Sequence, residues 1–156
     1  MSGATVIKFF VTDESQRLAR WLRLLGYDTV LIGAQPLGEL YRRAYEEGRT
    51  IVTRNRRVRP SGLFRVAPFH DQDFSSQLRR LVNTLGLRSD SAQPFSRCDR
   101  CNVEVMPIKE EAVQHRVPPH VFRTQKTFRA CPSCRRIYWA ATHCERARTF
   151  LAKELG

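Results

Sequence analysis

An α/β fold, with a small parallel sheet followed by a compact cysteine-stapled module, is what this 156-residue chain predicts on three observations. Apolar segments alternate between strand-like and helix-like patterns over the first half. A polar stretch, RSDSAQP at residues 88–94, then interrupts the patterning. Beyond it stand two CxxC pairs, Cys98 with Cys101 and Cys131 with Cys134, separated by 29 residues.

The elements follow in order. TVIKFFV, residues 5–11, has the β-branched and aromatic content of a strand and stops ahead of Asp13. SQRLARWLRLLG carries Leu18, Trp21, Leu22 and Leu25 at helical spacing, with Ser15 at its start and Gly26 as its stop. The other side of that helix shows Arg17, Arg20 and Arg23 as a basic stripe. YDTVLIG, residues 27–33, reads as a second strand, and LGELYRRAYEEG, residues 37–48, as a second helix ending at Gly48. TIVT, residues 50–53, is a short buried strand followed at once by Arg54 and Asn55.

A further strand is expected within Leu63 to Ala67. A helix is expected from Phe74 to Leu85, where Phe74, Leu78, Leu81, Val82 and Leu85 share a face and Asp73 holds the cap position. Alternating strands and helices predict βαβ units in a parallel sheet covered by helices. Open sheets of this kind place their sites beyond the carboxyl ends of the strands. Asp13 and Asn55 fall at that edge. The linker divides the chain into a sheet domain over 1–90 and a cysteine module over 95–156, the latter closed by a helical stretch near 145–155.

Each CxxC presents two sulfurs from one tight turn, and four thiolates fill the tetrahedral shell of Zn²⁺, so the pattern reads as a closed structural zinc site. Disulfides are the alternative for a secreted chain. The start, MSGATVIKFFVTDES, has no basic n-region, and no apolar run reaches the roughly 18 residues of a membrane span. A reducing, cytoplasmic setting without a membrane is therefore expected. Cys144 reads as a small buried hydrophobe. Tyr138 and Trp139 can stack on unpaired bases or pack the ribbon core, and for Trp139 packing is the expected role. His143 is expected to dock the ribbon rather than bind the metal.

The 27 basic and 15 acidic residues give a net charge of +12. Six of those net charges lie in residues 1–94 (15 basic, 9 acidic) and six in 95–156 (12 basic, 6 acidic). Of the 27, 23 are Arg, whose planar fork suits bidentate contact with phosphate. Nucleic acid is the partner this implies, against the alternative of an Arg-rich composition whose charges are merely solvated.

The run DESQRLARWLRLLGYDTVLIG, the later EEGRTIVTRN, the QLRRLV helix, and RCDRCN with CPSCRRIYWAATH resemble the mut-7 C-terminal RNase domain family, a PIN-like nuclease fold joined to a zinc ribbon. The resemblance extends from about Lys8 to His143. It implies hydrolysis of RNA by carboxylate-bound Mg²⁺ or Mn²⁺, because such ions take hard oxygen ligands, activate water and offset charge on the leaving oxygen. On this resemblance Asp13 matches the first acidic position. Glu39 is the one carboxylate near the second, where Leu37 and Gly38 precede it. Asn55 stands where the pattern TRD becomes TRN; an amide can coordinate a metal but brings no charge. Asp73 completes the candidate cluster, and Arg17, Arg20, Arg54 and Arg56 are the candidate phosphate contacts. The expected activity is a metal-dependent ribonuclease weakened at Asn55. The alternative is a non-catalytic protein that binds RNA, the ribosome or another ribonucleoprotein.

Overall fold

The computed structural model describes residues 6–87, 93–139, 149, 150, 152 and 153. His143, Cys144, residues 88–92 of the expected linker and most of the expected terminal helix lie outside the described residues.

Four strands form one parallel sheet: β1 (Lys8–Thr12), β2 (Thr29–Ile32), β3 (Arg49–Thr53) and β4 (Val66–Pro68), in the order β2-β1-β3-β4. All three pairings are parallel, with Val11 opposite Leu31 on one side and Val52 on the other. The fourth strand begins later than the expected 63–67, because Ser61 and Phe64 bridge across a turn and leave Leu63 exposed.

Strand alternation sends successive side chains to opposite faces, and both faces here are covered. Phe9, Val11 and Val52 pack under α1 (Gln16–Leu24) and α3 (Phe74–Leu85), against Leu18, Leu22, Leu78 and Leu81. Phe10 and Ile51 point the other way, under α2 (Leu37–Glu47), against Leu40 and Ala44. The result is a helix–sheet–helix sandwich. Helices α2 and α3 both end at glycines in the left-handed conformation, Gly48 at φ 61° and Gly86 at φ 62°, where a side chain would be strained.

The cysteine module is a second, antiparallel sheet, β5 (Met106–Ile108), β6 (Phe128–Ala130) and β7 (Ile137–Trp139), in the order β5-β6-β7. A short helix, α4 (Pro119–Thr124), lies between β5 and β6 and opens with proline at its first position, which needs no amide hydrogen there. Val113, Val117, Val121 and Phe128 form a small core beside α4, with Trp139 half-buried against it. Phe150 returns to the first unit, where it packs on Trp21 and Phe74.

Candidate active site and the docked cysteine module

The two CxxC segments fold alike. In the first, the amide of Cys101 donates to Cys98 Sγ at 3.3 Å, Asn102 N–H donates to Cys98 O at 2.9 Å, and Cys98 N–H donates to Val103 O at 2.8 Å. In the second, the equivalent bonds run from Cys134 N–H to Cys131 Sγ at 3.4 Å, Arg135 N–H to Cys131 O at 2.9 Å, and Cys131 N–H to Arg136 O at 2.9 Å. The residue after each pair, Asn102 or Arg135, takes the left-handed conformation at φ 64° or 61°. Each turn thereby aims two sulfurs at one point. The four Sγ atoms lie within 4.8 Å of one another, and Cys98 Sγ is 3.7 Å from Cys134 Sγ, close to the edge of a tetrahedron with Zn–S bonds of about 2.3 Å. Burial opposes ionisation of Cys98, but hydrogen bonds from Tyr138 and the Cys101 and Arg100 amides outweigh it and bring the thiol down to about 7. The set fits a metal ion such as zinc. Among the described residues it is the one group of three or more His, Cys, Asp or Glu side chains near enough to share an ion.

This module is fastened to the sheet unit through the basic stripe of α1. Arg20 donates from Nε and Nη2 to Asp99 Oδ2, at 3.0 and 2.6 Å, and Arg136 Nη1 reaches Asp99 Oδ1 at 3.1 Å. Tyr138 Oη lies 2.8 Å from Asp99 Oδ1 and 3.0 Å from Cys98 Sγ. Arg23 is buried; it donates to the carbonyls of Thr29, Asp99 and Arg100 at 2.8, 3.0 and 3.0 Å. Asn102 adds a third attachment, accepting from Thr29 N–H at 2.8 Å and donating to Asp28 Oδ1 at 2.8 Å. Phe95 N–H closes the last turn of α1 by donating to Leu24 O at 2.7 Å. Tyr138 is thus engaged at the metal turn.

The other candidates lie along the carboxyl edge of the parallel sheet. Asp13 opens a 3₁₀ turn directly after β1, is exposed, and has Gly33, just past β2, beside Oδ2. Glu39 sits in the first turn of α2 and is held by Arg42, which also grips Glu46. The Arg42 hydrogen bond keeps the Glu39 carboxyl below its usual range. Asn55 follows β3; its Oδ1 accepts from Arg57 N–H at 2.9 Å, and its own N–H donates to Thr53 Oγ1 at 3.0 Å. Asp73 caps α3, accepting from Ser76 N–H at 2.9 Å through Oδ1. Topology therefore brings one candidate to the end of each strand or the start of the helix that follows. The cluster expected of Asp13, Glu39 and Asp73 is not formed, because the three carboxylates do not lie near enough to one another to share an ion.

Glu14 is a residue the sequence reading passed over. Thr12 Oγ1 donates to Glu14 Oε1 at 2.6 Å and lies 3.1 Å from Thr53 Oγ1, while Arg54 N–H donates to the same carboxylate oxygen at 3.3 Å. Burial raises the Glu14 carboxyl, yet these hydrogen bonds leave it below its ordinary value. Glu14 ties the ends of β1 and β3 together, beside the point where strand order reverses and open sheets bind ligands. The acidic pair Asp13-Glu14 was its signal. Of the basic candidates, Arg17 lies over the Phe74 ring at 4.2 Å, Arg20 is bound to Asp99, and Arg54 and Arg56 are exposed beside Asn55.

A parallel α/β sheet with Asp13 at the carboxyl edge of its strands, joined to a four-cysteine module fit for a metal ion, defines the class as an α/β protein with a metal-binding ribbon. The chain matches the Mut7-C RNAse domain family over residues 7–151 and belongs to it, which implies RNA as the substrate class. No curated protein and no solved structure gives a significant match. Among the described residues, no helix is long and apolar enough to cross a membrane.

Proposed function

We propose that this protein is a divalent-metal-dependent ribonuclease working at the carboxyl edge of the parallel sheet, with zinc confined to the ribbon. The observation that carries the reading is Asp13, exposed at the end of the central strand β1 with the side-chain-free Gly33 facing it and Glu14 anchored alongside. Carboxylate and amide oxygens are hard donors, suited to Mg²⁺ or Mn²⁺ rather than to thiophilic metals. Mg²⁺ is commonly held by one or two carboxylates together with substrate phosphates, and Asp13 with Glu14 supplies that number. When bound, such an ion supplies Lewis-acid activation of water and of the scissile phosphate.

The chain's own groups do the rest. Asp13 would hold the ion. Glu39 approaches from the start of α2 when it parts from Arg42, whose exposed salt bridge is weak. Asn55 offers an uncharged oxygen, and Asp73 retains Oδ2 beyond its cap. Arg54 and Arg56, with Arg17 at the start of α1, orient the phosphate backbone by charge-assisted hydrogen bonds. A second reading, a non-catalytic RNA-binding or ribonucleoprotein-associated protein, is favoured by Asn55 in place of a carboxylate.

The test is incubation of the zinc-loaded protein with labelled single-stranded RNA and Mg²⁺ or Mn²⁺. Cleavage that disappears in Asp13→Ala and after chelation of the added ion supports the ribonuclease. Cleavage that persists in Asp13→Ala sinks the site. Salt-sensitive RNA binding without cleavage selects the second reading.

A further inference from the structure

Docking of the ribbon opens a cleft of about 510 Å³ between α1 and the first cysteine turn. It is lined by Gln16, Arg20 and Arg23 from α1 and by Asp99, Arg100 and Arg136 from the ribbon. Four guanidinium groups face one carboxylate, so the lining keeps three net positive charges. Asp99 is nearly buried and spends its oxygens on Arg20, Arg136 and Tyr138. Both arginines nevertheless stay half-exposed, at 57% and 44% of their side-chain surface. Each guanidinium has five N–H donors in a fixed fork; Asp99 engages Nε and Nη2 of Arg20 and Nη1 of Arg136, which reaches both carboxylate oxygens at 3.1 and 3.4 Å. The fork fixes the directions of the donors that Asp99 leaves on these two half-exposed groups. Arg100 is exposed and has no hydrogen-bond or ion-pair partner for its side chain among the described residues.

The position matters as much as the charge. Gln16 is the first residue of α1 and adjoins the turn that carries Asp13, while Arg23 lies seven residues further, about 10 Å along the helix. The cleft thus leads from the proposed reaction edge to the ribbon. Neither part of the chain makes it alone, because Arg20 and Arg23 come from one side and Arg100 and Arg136 from the other.

The geometry points to this cleft as a binding site for a backbone phosphodiester of the RNA strand, assembled when the metal-bound ribbon docks on α1. This rests on the reading of RNA as the partner. Arg20 and Arg136, held by Asp99, present pre-oriented donors to the phosphate oxygens, and Arg100 supplies the unpaired charge. The site reads no sequence, since phosphate contacts position a strand without identifying its bases.

The experiment measures binding of a short fluorescent oligouridylate to the full, zinc-loaded chain over a salt series, with cleavage assayed separately in Mg²⁺. Arg100→Glu is compared with Arg100→Gln and with Arg123→Glu, an equal charge reversal on α4 outside the cleft; zinc content confirms that each is folded. Expected are about tenfold weaker binding for Arg100→Glu, a smaller loss for Arg100→Gln, and a salt slope lower by about 0.7 for the lost contact. Arg123→Glu should bind like the parent. Parent-like affinity and slope in Arg100→Glu, or an equal loss in Arg123→Glu, overturn the site even if Mg²⁺-dependent cleavage is intact. Absence of RNA binding by the parent chain overturns it as well. Binding that behaves as expected without any cleavage supports the cleft and counts only against the ribonuclease.

Discussion

Asp99, set between two cysteines of the metal turn, accepts two hydrogen bonds from Arg20 of α1, 79 residues away in sequence, at 3.0 and 2.6 Å. The contact joins the ribbon to the helix that covers the parallel sheet. Because Asp99 also holds Arg136 and Tyr138, neutralising it leaves several donors facing a poorer acceptor. Asp99→Asn should cost about 2 kcal/mol of stability. In a double-mutant cycle with Arg20→Ala, measured by urea unfolding, the two changes should couple by about 1 kcal/mol, discounted for the exposure of Arg20. Strictly additive effects would mean that the pair does not fasten the ribbon.

Gly26 is the tightest point of that joint. Its φ is +94°, and a Cβ there would collide with the backbone carbonyl of Gln93. Gly26→Ala therefore meets both a strained backbone and a backbone clash, and should destabilise by about 3 kcal/mol or more. Gly48, at φ +61° with open space where a Cβ would stand, should tolerate alanine at about 1 kcal/mol. Comparable losses in the two variants, read from thermal unfolding, would show that the approach of Gln93 is not limiting.

Much of this architecture was legible in local pattern. The helix expected over 74–85 is α3 to the residue, because Leu78, Leu81, Val82 and Leu85 repeat at helical period and Gly86 stops it. The parallel pairing, with Asp13 and Asn55 beyond the carboxyl ends of their strands, follows from strand–helix alternation, whereas the order β2-β1-β3-β4 does not. What stayed hidden depends on which surface meets which. Arg20 and Arg23 lie on the polar side of an amphipathic helix, and no periodicity says that this side faces another part of the chain rather than solvent. Asp99 in CDRC holds the same place as Pro132 in CPSC, and nothing in that spacing says that Asp99 meets Arg20 of α1. Glu14 was overlooked because its role depends on Thr12 and Arg54, which become neighbours once β1 and β3 pair.

Removing the metal should undo the ribbon. Its own core is small, built around Val113, Val117, Val121 and Phe128, and the free energy of binding four thiolates acts directly as folding free energy. The zinc-loaded chain should carry a single ion, released with a drop in thermal midpoint on strong chelation. Cobalt substitution should give the visible absorption of a tetrahedral thiolate site, and Cys131→Ser should lose it. An octahedral cobalt spectrum would contradict the four-sulfur shell.

Asp28 should set part of the acid sensitivity. It pairs with Arg49 at 2.9 Å and accepts from Asn102 at 2.8 Å. Burial raises its carboxyl, but the Arg49 and Asn102 hydrogen bonds outweigh this and hold it below the ordinary range. A depressed folded value means that the stabilisation is complete above the unfolded value of about 3.9 and is lost as pH falls through the folded one. Asp28→Asn should therefore be less stable than the parent at neutral pH, and the gap should narrow below about pH 4. Both proteins protonate the same cysteines in acid, so the difference between their urea midpoints isolates Asp28. A gap independent of pH would assign the loss to packing.

Asn55 offers the sharpest test of the reaction edge. Its Oδ1 accepts from the Arg57 amide, a bond that an aspartate oxygen makes equally well, so Asn55→Asp preserves the turn while adding a negative charge. The neighbours Arg54, Arg56 and Arg57 stabilise that charge rather than repel it. If the ion sits between the ends of β1 and β3, a further formal charge there should strengthen Mn²⁺ or Mg²⁺ binding and raise RNA cleavage by about tenfold. The gain should appear as a lower metal requirement, with half-maximal activity at less added ion, and should vanish in the Asp13→Ala background. An increase that survives without Asp13, or an unchanged metal dependence, would place the chemistry elsewhere.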